Sequence, residues 1–108
     1  ISITPRDLSF IVEENLGDIF LLFAKRNVRI DLMQNSAVAF TVAVEDTARS
    51  RQLIEELRTR YEVLYNEGCE LLTVRHFDEA TLTELTAGKH ILIEQRSRVT
   101  ARYVTKAQ

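Results

Sequence analysis

The stretch Val28–Val44, VRIDLMQNSAVAFTVAV, decides the fold of this chain. Apolar and polar side chains alternate over Val28–Met33 with the period of two that is typical of a half-buried strand. Gln34, Asn35 and Ser36 then supply the residue types of a turn, and a second alternating run follows. The bulky face of that run consists of Val38, Phe40, Val42 and Val44. The stretch therefore predicts a β-hairpin whose bulky face belongs to the core.

Asp31 is the unusual residue of this hairpin, because it places an acid in the middle of the first predicted strand, near the turn and opposite the start of a helix. A carboxylate beside free backbone N–H groups offers partners for both ends of an amino acid, since the carboxylate binds an ammonium group and the N–H groups bind an anion. A solvated acid on the outer face of a strand is the plainer interpretation. The sequence leaves both open.

Length and composition restrict the class of protein. The 108 residues fit one compact domain, and 45% hydrophobic with 28% charged residues is typical of a folded chain. A formal charge of −2 argues against a nucleic-acid-binding protein, which carries a basic face. No apolar run reaches the ~18 residues of a membrane span, and the first residues of this sequence do not show a signal-peptide pattern. The single Cys69 cannot form an internal disulfide, so the cytoplasm is the expected compartment.

The segment before the hairpin predicts a strand and a helix. Ile1–Thr4 alternates and stops at Pro5, which is typical of a strand end. Three apolar residues then either continue this strand or lead into the helix: Leu8, Phe10 and Val12. Asn15 is the predicted N-cap of a helix over Leu16–Arg26. The apolar stripe of that helix consists of Leu16, Ile19, Phe20 and Phe23.

The segment after the hairpin predicts a helix and a strand. Asp46 or Thr47 caps a helix that extends to about Tyr61, with apolar residues at helical spacing. Val63–Tyr65 then reads as a strand before the turn residues that end at Gly68. The order of types is β-α-β-β-α-β, which predicts an α+β, ferredoxin-like unit.

The rest of the chain repeats half of that pattern. Leu71–Phe77 reads as a strand, Asp78 caps a helix over Glu79–Ala87, and Gly88 occupies the position of a left-handed helix end. Two further strands are predicted over Lys89–Glu94 and Val99–Thr105. We therefore expect a first unit over residues 1–70 and a shortened βαββ second unit over residues 71–108, packed together as one domain. A half unit leaves a sheet edge incomplete, which favours pairing.

Three stretches of the sequence resemble the ACT-type regulatory region of bacterial aspartate kinases. They are LGDIFLLFAKRNVRIDLMQNSAVAFTV, YEVLYNEGCELLTV and ILIEQRSRVTARYV. The family has the same order of a helix, a strand with an Asp, a polar turn and a second strand, and the resemblance covers nearly the whole chain with a shortened second ACT unit. The chain begins at Ile1 and its one methionine is internal, which indicates a piece of a longer polypeptide.

The resemblance implies a regulatory region and not a catalyst. In the family, a separate kinase domain phosphorylates the side chain of aspartate with ATP and magnesium, at the start of lysine, threonine and methionine biosynthesis. The ACT units form homodimers and bind a free amino acid, commonly lysine or threonine. The three glycines are scattered at Gly17, Gly68 and Gly88, so no glycine-rich loop can hold ATP phosphates here. We expect no cofactor in this region, no membrane contact and no nucleic acid.

The resemblance and the residue types together predict an effector-binding site at the first helix and the hairpin. Its residues are Asn15, Leu16, Gly17, Asp31, Asn35 and Ser36. The N–H groups of the helix start would bind the carboxylate of the amino acid, Asp31 its ammonium group, and the turn would add hydrogen bonds. Two residues depart from the family: Glu14 replaces a usual Gly and Ala37 a frequent Glu. A purely structural dimerisation module without an effector is therefore the alternative.

Other candidate sites are weaker. Cys69, His76 and His90 lack the close spacing of zinc ligands, and Cys69 has no predicted base beside it to make it a nucleophile. The predicted last hairpin carries three arginines, which bind an anion or pair with nearby glutamates, and we favour the pairing. They are Arg96, Arg98 and Arg102. An RNA-binding module needs exposed aromatic residues on its strands, and the hairpin presents small ones instead.

Overall fold

The computed structural model describes residues 1–7 and 9–108. The chain forms two units, Ile1–Asn66 and Glu67–Gln108, each built around its own antiparallel sheet. Leu8, which the sequence assigns either to the first strand or to the start of the helix, lies outside the described residues. Across these described ranges, no helix has the length and apolarity to cross a membrane.

The first unit holds six elements in the predicted βαββαβ order. They are β1 (Ser2–Pro5), α1 (Glu13–Lys25), β2 (Leu32–Asn35), β3 (Phe40–Ala43), α2 (Ala48–Arg58) and β4 (Tyr61–Leu64). The strands form one sheet in the order β2-β3-β1-β4, and each neighbouring pair is antiparallel. The first strand in sequence is thus central, as in a ferredoxin-like fold, and the predicted fold class is confirmed.

A single apolar core joins this sheet to its two helices. Ile3 pairs with Phe40 on one side and with Val63 on the other, so three buried side chains form one row across the sheet. The other buried members are Ile11, Ile19, Leu22, Phe23, Val42, Leu53, Ile54, Leu57 and Tyr61. Burying each large apolar side chain contributes about 1.5–3 kcal/mol. Of the predicted stripe of α1, Ile19 and Phe23 are buried and Leu16 is half-buried, whereas Phe20 is 39% exposed.

Helix α1 begins three residues before the predicted start. Its N-cap is Val12, and Asn15 is the third helical residue, where its side-chain oxygen accepts a hydrogen bond from the Val12 N–H at 3.0 Å. The prediction that Asn15 is the N-cap is wrong, because Asn15 caps from inside the first turn. At the other end, the Val28 N–H bonds to Phe23 and the Asn27 N–H bonds to Ala24. This is a Schellman motif, with Asn27 in the left-handed region at φ 55°.

The hairpin strands are shorter than predicted. The Schellman motif ties Val28 back to α1, so β2 starts only at Leu32, and Asp31 precedes the strand instead of lying in its middle. Gln34 and Asn35 belong to β2 rather than to the turn. The turn begins at Ser36, whose hydroxyl oxygen accepts the Ala39 N–H at 3.1 Å. The turn also carries Val38, which is 51% exposed, so its assignment to the core is wrong.

Helix α2 begins where the sequence predicts. Thr47 is its N-cap, and its hydroxyl accepts the Ser50 N–H at 3.2 Å while the Ser50 hydroxyl accepts the Thr47 N–H at 2.9 Å. This reciprocal pair satisfies two backbone donors at once. The helix ends at Arg58, earlier than the predicted Tyr61, because Tyr61 opens β4 and pairs with Pro5 of β1.

The second unit has the predicted βαββ order. Its elements are β5 (Glu70–Arg75), α3 (Glu79–Thr86), β6 (Lys89–Arg96) and β7 (Thr100–Ala107). The sheet order β5-β7-β6 matches β1-β3-β2 of the first unit, so the shortened repeat is confirmed. Asp78 caps α3 through the Thr81 N–H at 2.7 Å, and Gly88 has φ 72°, both as predicted. Leu82, Ala101 and Tyr103 form the centre of its core.

Candidate functional site

The predicted effector residues lie at two opposite ends of β2. The N–H of Asp31 bonds to Ala43 at one end, whereas Asn35 pairs with Phe40 at the other. Asn35 stands four positions after Asp31 along the chain, which in an extended segment is about 13 Å between their Cα atoms. The start of α1 lies at the Asn35 end, because the Ile11 N–H bonds to Ala37 at 2.8 Å. Within one copy, Asp31 is therefore not beside the start of α1.

The N–H groups that α1 offers to an anion differ from the predicted ones. The Leu16 N–H bonds to Val12 at 3.1 Å, and Gly17 lies in the second turn. The geometry of a helix start leaves the N–H groups of the first turn, from Glu13 to Asn15, without an intrahelical partner. Two exposed carboxylates stand in the same turn, on Glu13 and Glu14. They already supply the negative charge that a helix start favours, so this end is a poor carboxylate site.

Two polar side chains at the Asn35 end are engaged in holding the fold. The Ser36 hydroxyl accepts the Ala39 N–H and donates to the Ala39 carbonyl at 3.3 Å. The Asn15 amide accepts the Val12 N–H and also hydrogen-bonds the Tyr61 hydroxyl. Asn35 is exposed. Of the predicted polar side chains at this end, Asn35 is the one that its surroundings leave most open to a ligand.

A polar network joins α1 to the start of β4. The Tyr61 hydroxyl donates to Asp18 at 3.0 Å, and Arg60 forms an ion pair with the other Asp18 oxygen at 2.5 Å. Burial raises the pKa of Tyr61, and the hydrogen bond with Asp18 raises the pKa of Arg60. No local pattern in the sequence predicts this network, because Asp18 and Tyr61 stand 43 positions apart.

The Asp31 end contains a cavity of about 100 Å³, here named the Asp31 cavity. Its walls are Asn27, Val28, Arg29, Asp31, Glu45, Thr47 and Arg49. Arg29 and Asp31 alternate on an extended segment, so their side chains point to the same side and form an ion pair at 3.3 Å. Groups of both charges therefore converge at one place in the first unit. Sequence reasoning identified Asp31 but missed Glu45 and Arg49, which another segment contributes.

The surface of the protein carries the weaker candidates Cys69, His76, His90 and Arg96. Cys69, His76 and His90 are exposed, and within the described residues no group of three or more metal-binding side chains comes together. Arg96 pairs with Glu79 at 2.7 Å and with Glu94 at 2.9 Å. It also lies over the Phe77 ring and bonds the Tyr103 hydroxyl. Pairing with nearby glutamates, the favoured interpretation of this arginine, is confirmed.

The comparisons with known proteins rest on structure. The sequence matches no protein-family model and no curated protein. The structure matches aspartokinase III of E. coli in complex with lysine and aspartate, with a TM-score of 0.70 and 15% identity over 95% of this chain and 26% of that one. The same enzyme in complex with aspartate and ADP gives 0.71, with 15% identity over 97% and 27%.

A third match is the ligand-free regulatory subunit of aspartate kinase from Thermus thermophilus, with a TM-score of 0.58 and 14% identity over 98% of this chain and 80% of that one. The chain has the fold of an aspartate kinase regulatory region. The predicted resemblance to the ACT-type region is confirmed. At these identities the likeness concerns the fold, and the chain spans about a quarter of the length of the E. coli enzyme.

Proposed function

We propose that this chain is the regulatory region of an aspartate kinase and that it responds to a free amino acid. The observation that carries the proposal is the order of the two units, a complete ferredoxin-like unit followed by a shortened βαββ unit. This chain superimposes on aspartokinase III over 95% of its length. That enzyme's structure contains lysine. In the proposal, the two units form one domain and work in the cytoplasm beside a kinase domain, which transfers phosphate from ATP, with magnesium, to aspartate.

We propose further that the region forms a homodimer through β2. This strand is at the edge of its sheet, and its Met33 side chain is 52% exposed. An exposed apolar side chain on an edge strand favours pairing with a second copy, and a symmetric arrangement of the two copies is typical of homodimers.

Such a dimer brings the separated site residues together. When two β2 strands pair antiparallel, the Asp31 end of one copy lies beside the Asn35 and Ser36 end of the other copy. The first two turns of that second copy's α1, which contain Asn15, Leu16 and Gly17, lie at the same end. We propose that the effector binds at the Asp31 end, where charges of both signs converge. The turn and helix start of the second copy then cover it. Binding between copies would link the effector to assembly.

A thermal-shift screen with the common amino acids, lysine and threonine included, tests the sensing. A ligand at 100-fold its Kd stabilises the folded form by about 2.7 kcal/mol, which raises the melting temperature by roughly 10 °C. Replacing Asp31 with Ala should abolish most of that rise, because it removes the ammonium partner. A screen in which no amino acid moves the melting temperature would refute the sensing proposal.

Sedimentation equilibrium at tens of micromolar tests the dimer. Met33→Lys places like charges on the facing β2 strands of the two copies, so it should give a monomer, while Met33→Ala should remain a dimer. A monomeric unsubstituted chain would contradict the proposal.

The alternative is a structural dimerisation module that binds no effector. The two carboxylates in the first turn of α1, on Glu13 and Glu14, favour it, because they oppose an anion at the helix start. The two experiments separate the functions: a dimer whose melting temperature is indifferent to every amino acid is the structural module.

A further inference from the structure

The sheet of the second unit has a side that points away from α3. The other side packs with Leu82 of α3 in the core, through Leu72, Val74, Ala101 and Tyr103. Successive strand residues point to opposite sides of a sheet, so the residues between these four point away from the helix. Two neighbouring cross-strand pairs on that side are here named the arginine face. They are Thr73 with Arg102 and Arg75 with Thr100.

The arginine face places its two guanidinium groups on a diagonal. Directly opposite residues of an antiparallel pair have Cβ atoms about 4.5–5.5 Å apart, and diagonal neighbours are about 7–8 Å apart. Arg75 and Arg102 are such diagonal neighbours, and the hydroxyls of Thr73 and Thr100 occupy the other diagonal. Arg75 and Thr73 are exposed, while Arg102 and Thr100 are half-buried. Two cationic and two hydroxyl side chains therefore share one small patch of the sheet.

The acidic residues of the second unit stand elsewhere, and the structure describes all of residues 67–108. Glu70 alternates with Leu72 and so points to the α3 side. Glu94 pairs with Tyr103, which puts it on that side as well. The remaining acidic residues lie in α3, at its N-cap or in the turn before β5: Glu67, Asp78, Glu79 and Glu84. The strands of the second unit thus add no carboxylate to the arginine face, which favours an anion as its ligand.

The spacing and the donors match a phosphate group. A guanidinium group offers two parallel N–H donors to phosphate oxygens, at about 2.7–2.9 Å. Two guanidinium groups that bond one phosphate from opposite sides lie roughly 8 Å apart, which is the diagonal spacing of Arg75 and Arg102. The threonine hydroxyls can donate to other oxygen atoms of the ligand. Arg98, which is exposed in the turn before Thr100, adds positive charge at the same end of β7.

We infer that the arginine face binds the diphosphate group of a small ligand. The inference goes beyond the proposed function, because the proposed effector is an amino acid and its proposed site lies in the first unit. A diphosphate carries more negative charge and more acceptor oxygens than a single phosphate, so it uses the arginines and hydroxyls more fully. A carboxylate has two oxygen atoms and one charge, so an acidic peptide matches this compact set of donors less well.

The test is a titration of the 108-residue chain with pyrophosphate, ADP and inorganic phosphate at constant ionic strength, followed by amide resonances in two-dimensional NMR. Pyrophosphate should shift amides over residues 73–75 and 98–102 and should bind at least tenfold more tightly than inorganic phosphate. The ADP arm distinguishes the two sources of a diphosphate. Binding of ADP as tight as that of pyrophosphate supports a nucleotide ligand, and weaker binding of ADP supports the free anion.

Matched variants locate the contacts. Arg75→Gln and Arg102→Gln should each weaken pyrophosphate binding about tenfold. Arg75→Lys keeps the charge but loses the paired donors, so it should weaken binding by less than Arg75→Gln does. Lys106→Gln is the control, because it removes the same charge from β7 about 13 Å along the strand from Arg102. The amide spectra of all variants report whether the fold is intact.

Three results would overturn the inference. The first is an equal loss of pyrophosphate binding in Lys106→Gln and Arg75→Gln, which would mean that the chain responds to net charge alone. The second is that none of the three probes shifts the amides of residues 73–75 and 98–102. The third is tighter binding of a hexaglutamate peptide than of pyrophosphate, which would assign the arginine face to an acidic protein partner.

Discussion

The hydrogen bond from Tyr61 to Asp18 should stabilise the first unit more than the ion pair from Arg60 to the same carboxylate. Tyr61→Phe removes only the hydroxyl, which donates to Asp18 at 3.0 Å and also hydrogen-bonds the Asn15 amide, and the ring stays in the core. Arg60→Ala removes the ion pair at 2.5 Å. Tyr61 and Arg60 bond the same carboxylate, that of Asp18. The two variants therefore compare the loss of a half-buried hydrogen bond with the loss of an exposed ion pair.

The surroundings of the two donors set the magnitudes. Tyr61 is 7% exposed, and a hydrogen bond from a buried hydroxyl to a charged acceptor contributes about 1.5 kcal/mol or slightly more. The Arg60 side chain is 53% exposed and that of Asp18 31%, so salt and water screen their attraction. Exposed ion pairs contribute about 0.2–1 kcal/mol. We expect Tyr61→Phe to lower the free energy of unfolding by about 1.5 kcal/mol and Arg60→Ala by about 0.5 kcal/mol.

Urea unfolding followed by circular dichroism, with hydrogen exchange of the α1 and β4 amides to isolate the first unit, measures both changes. In 1 M salt the effect of Arg60→Ala should vanish, while that of Tyr61→Phe should persist. In an Asp18→Ala background, Tyr61→Phe should cost less, because the charged acceptor is gone and only the hydrogen bond with Asn15 is still lost. A larger effect for Arg60→Ala than for Tyr61→Phe at low salt would refute the reasoning.

Two further predictions concern helix ends. Asn27→Ala should lower the free energy of unfolding by about 1–2 kcal/mol, because alanine resists the left-handed φ of 55°, whereas Asn27→Gly should change it by a few tenths at most; urea unfolding of both variants is the measurement, and equal costs would contradict it. The bond from the Thr81 N–H lowers the pKa of Asp78 below 3.8. The cap therefore stabilises α3 fully above about pH 4 and is lost as the pH falls through the lowered pKa. Hydrogen exchange of α3 amides between pH 5 and pH 2 should show this loss, and Asp78→Asn should not show it.

The sequence by itself determined the elements and most of the core. The caps at Thr47 and Asp78 and the left-handed Gly88 act on groups three or four residues away, so the local sequence specifies them. The alternation that marks Phe40 and Val42 as buried is equally local, because successive strand residues face opposite sides of a sheet. The order of these elements was enough to predict a ferredoxin-like unit and a shortened repeat.

The tertiary structure alone decided which of these residues meet. The start of α1 depended on its packing, because Asn15 caps the helix from its third position while it also contacts Tyr61 in β4. Asp31 lies outside β2, contrary to the prediction, because the Schellman motif bonds the Val28 N–H back to α1. Its separation from the α1 start, and its approach to Glu45 and Arg49, follow from the antiparallel register of β2 and β3. Register arises from pairing across the sheet, and no periodicity along one segment contains it.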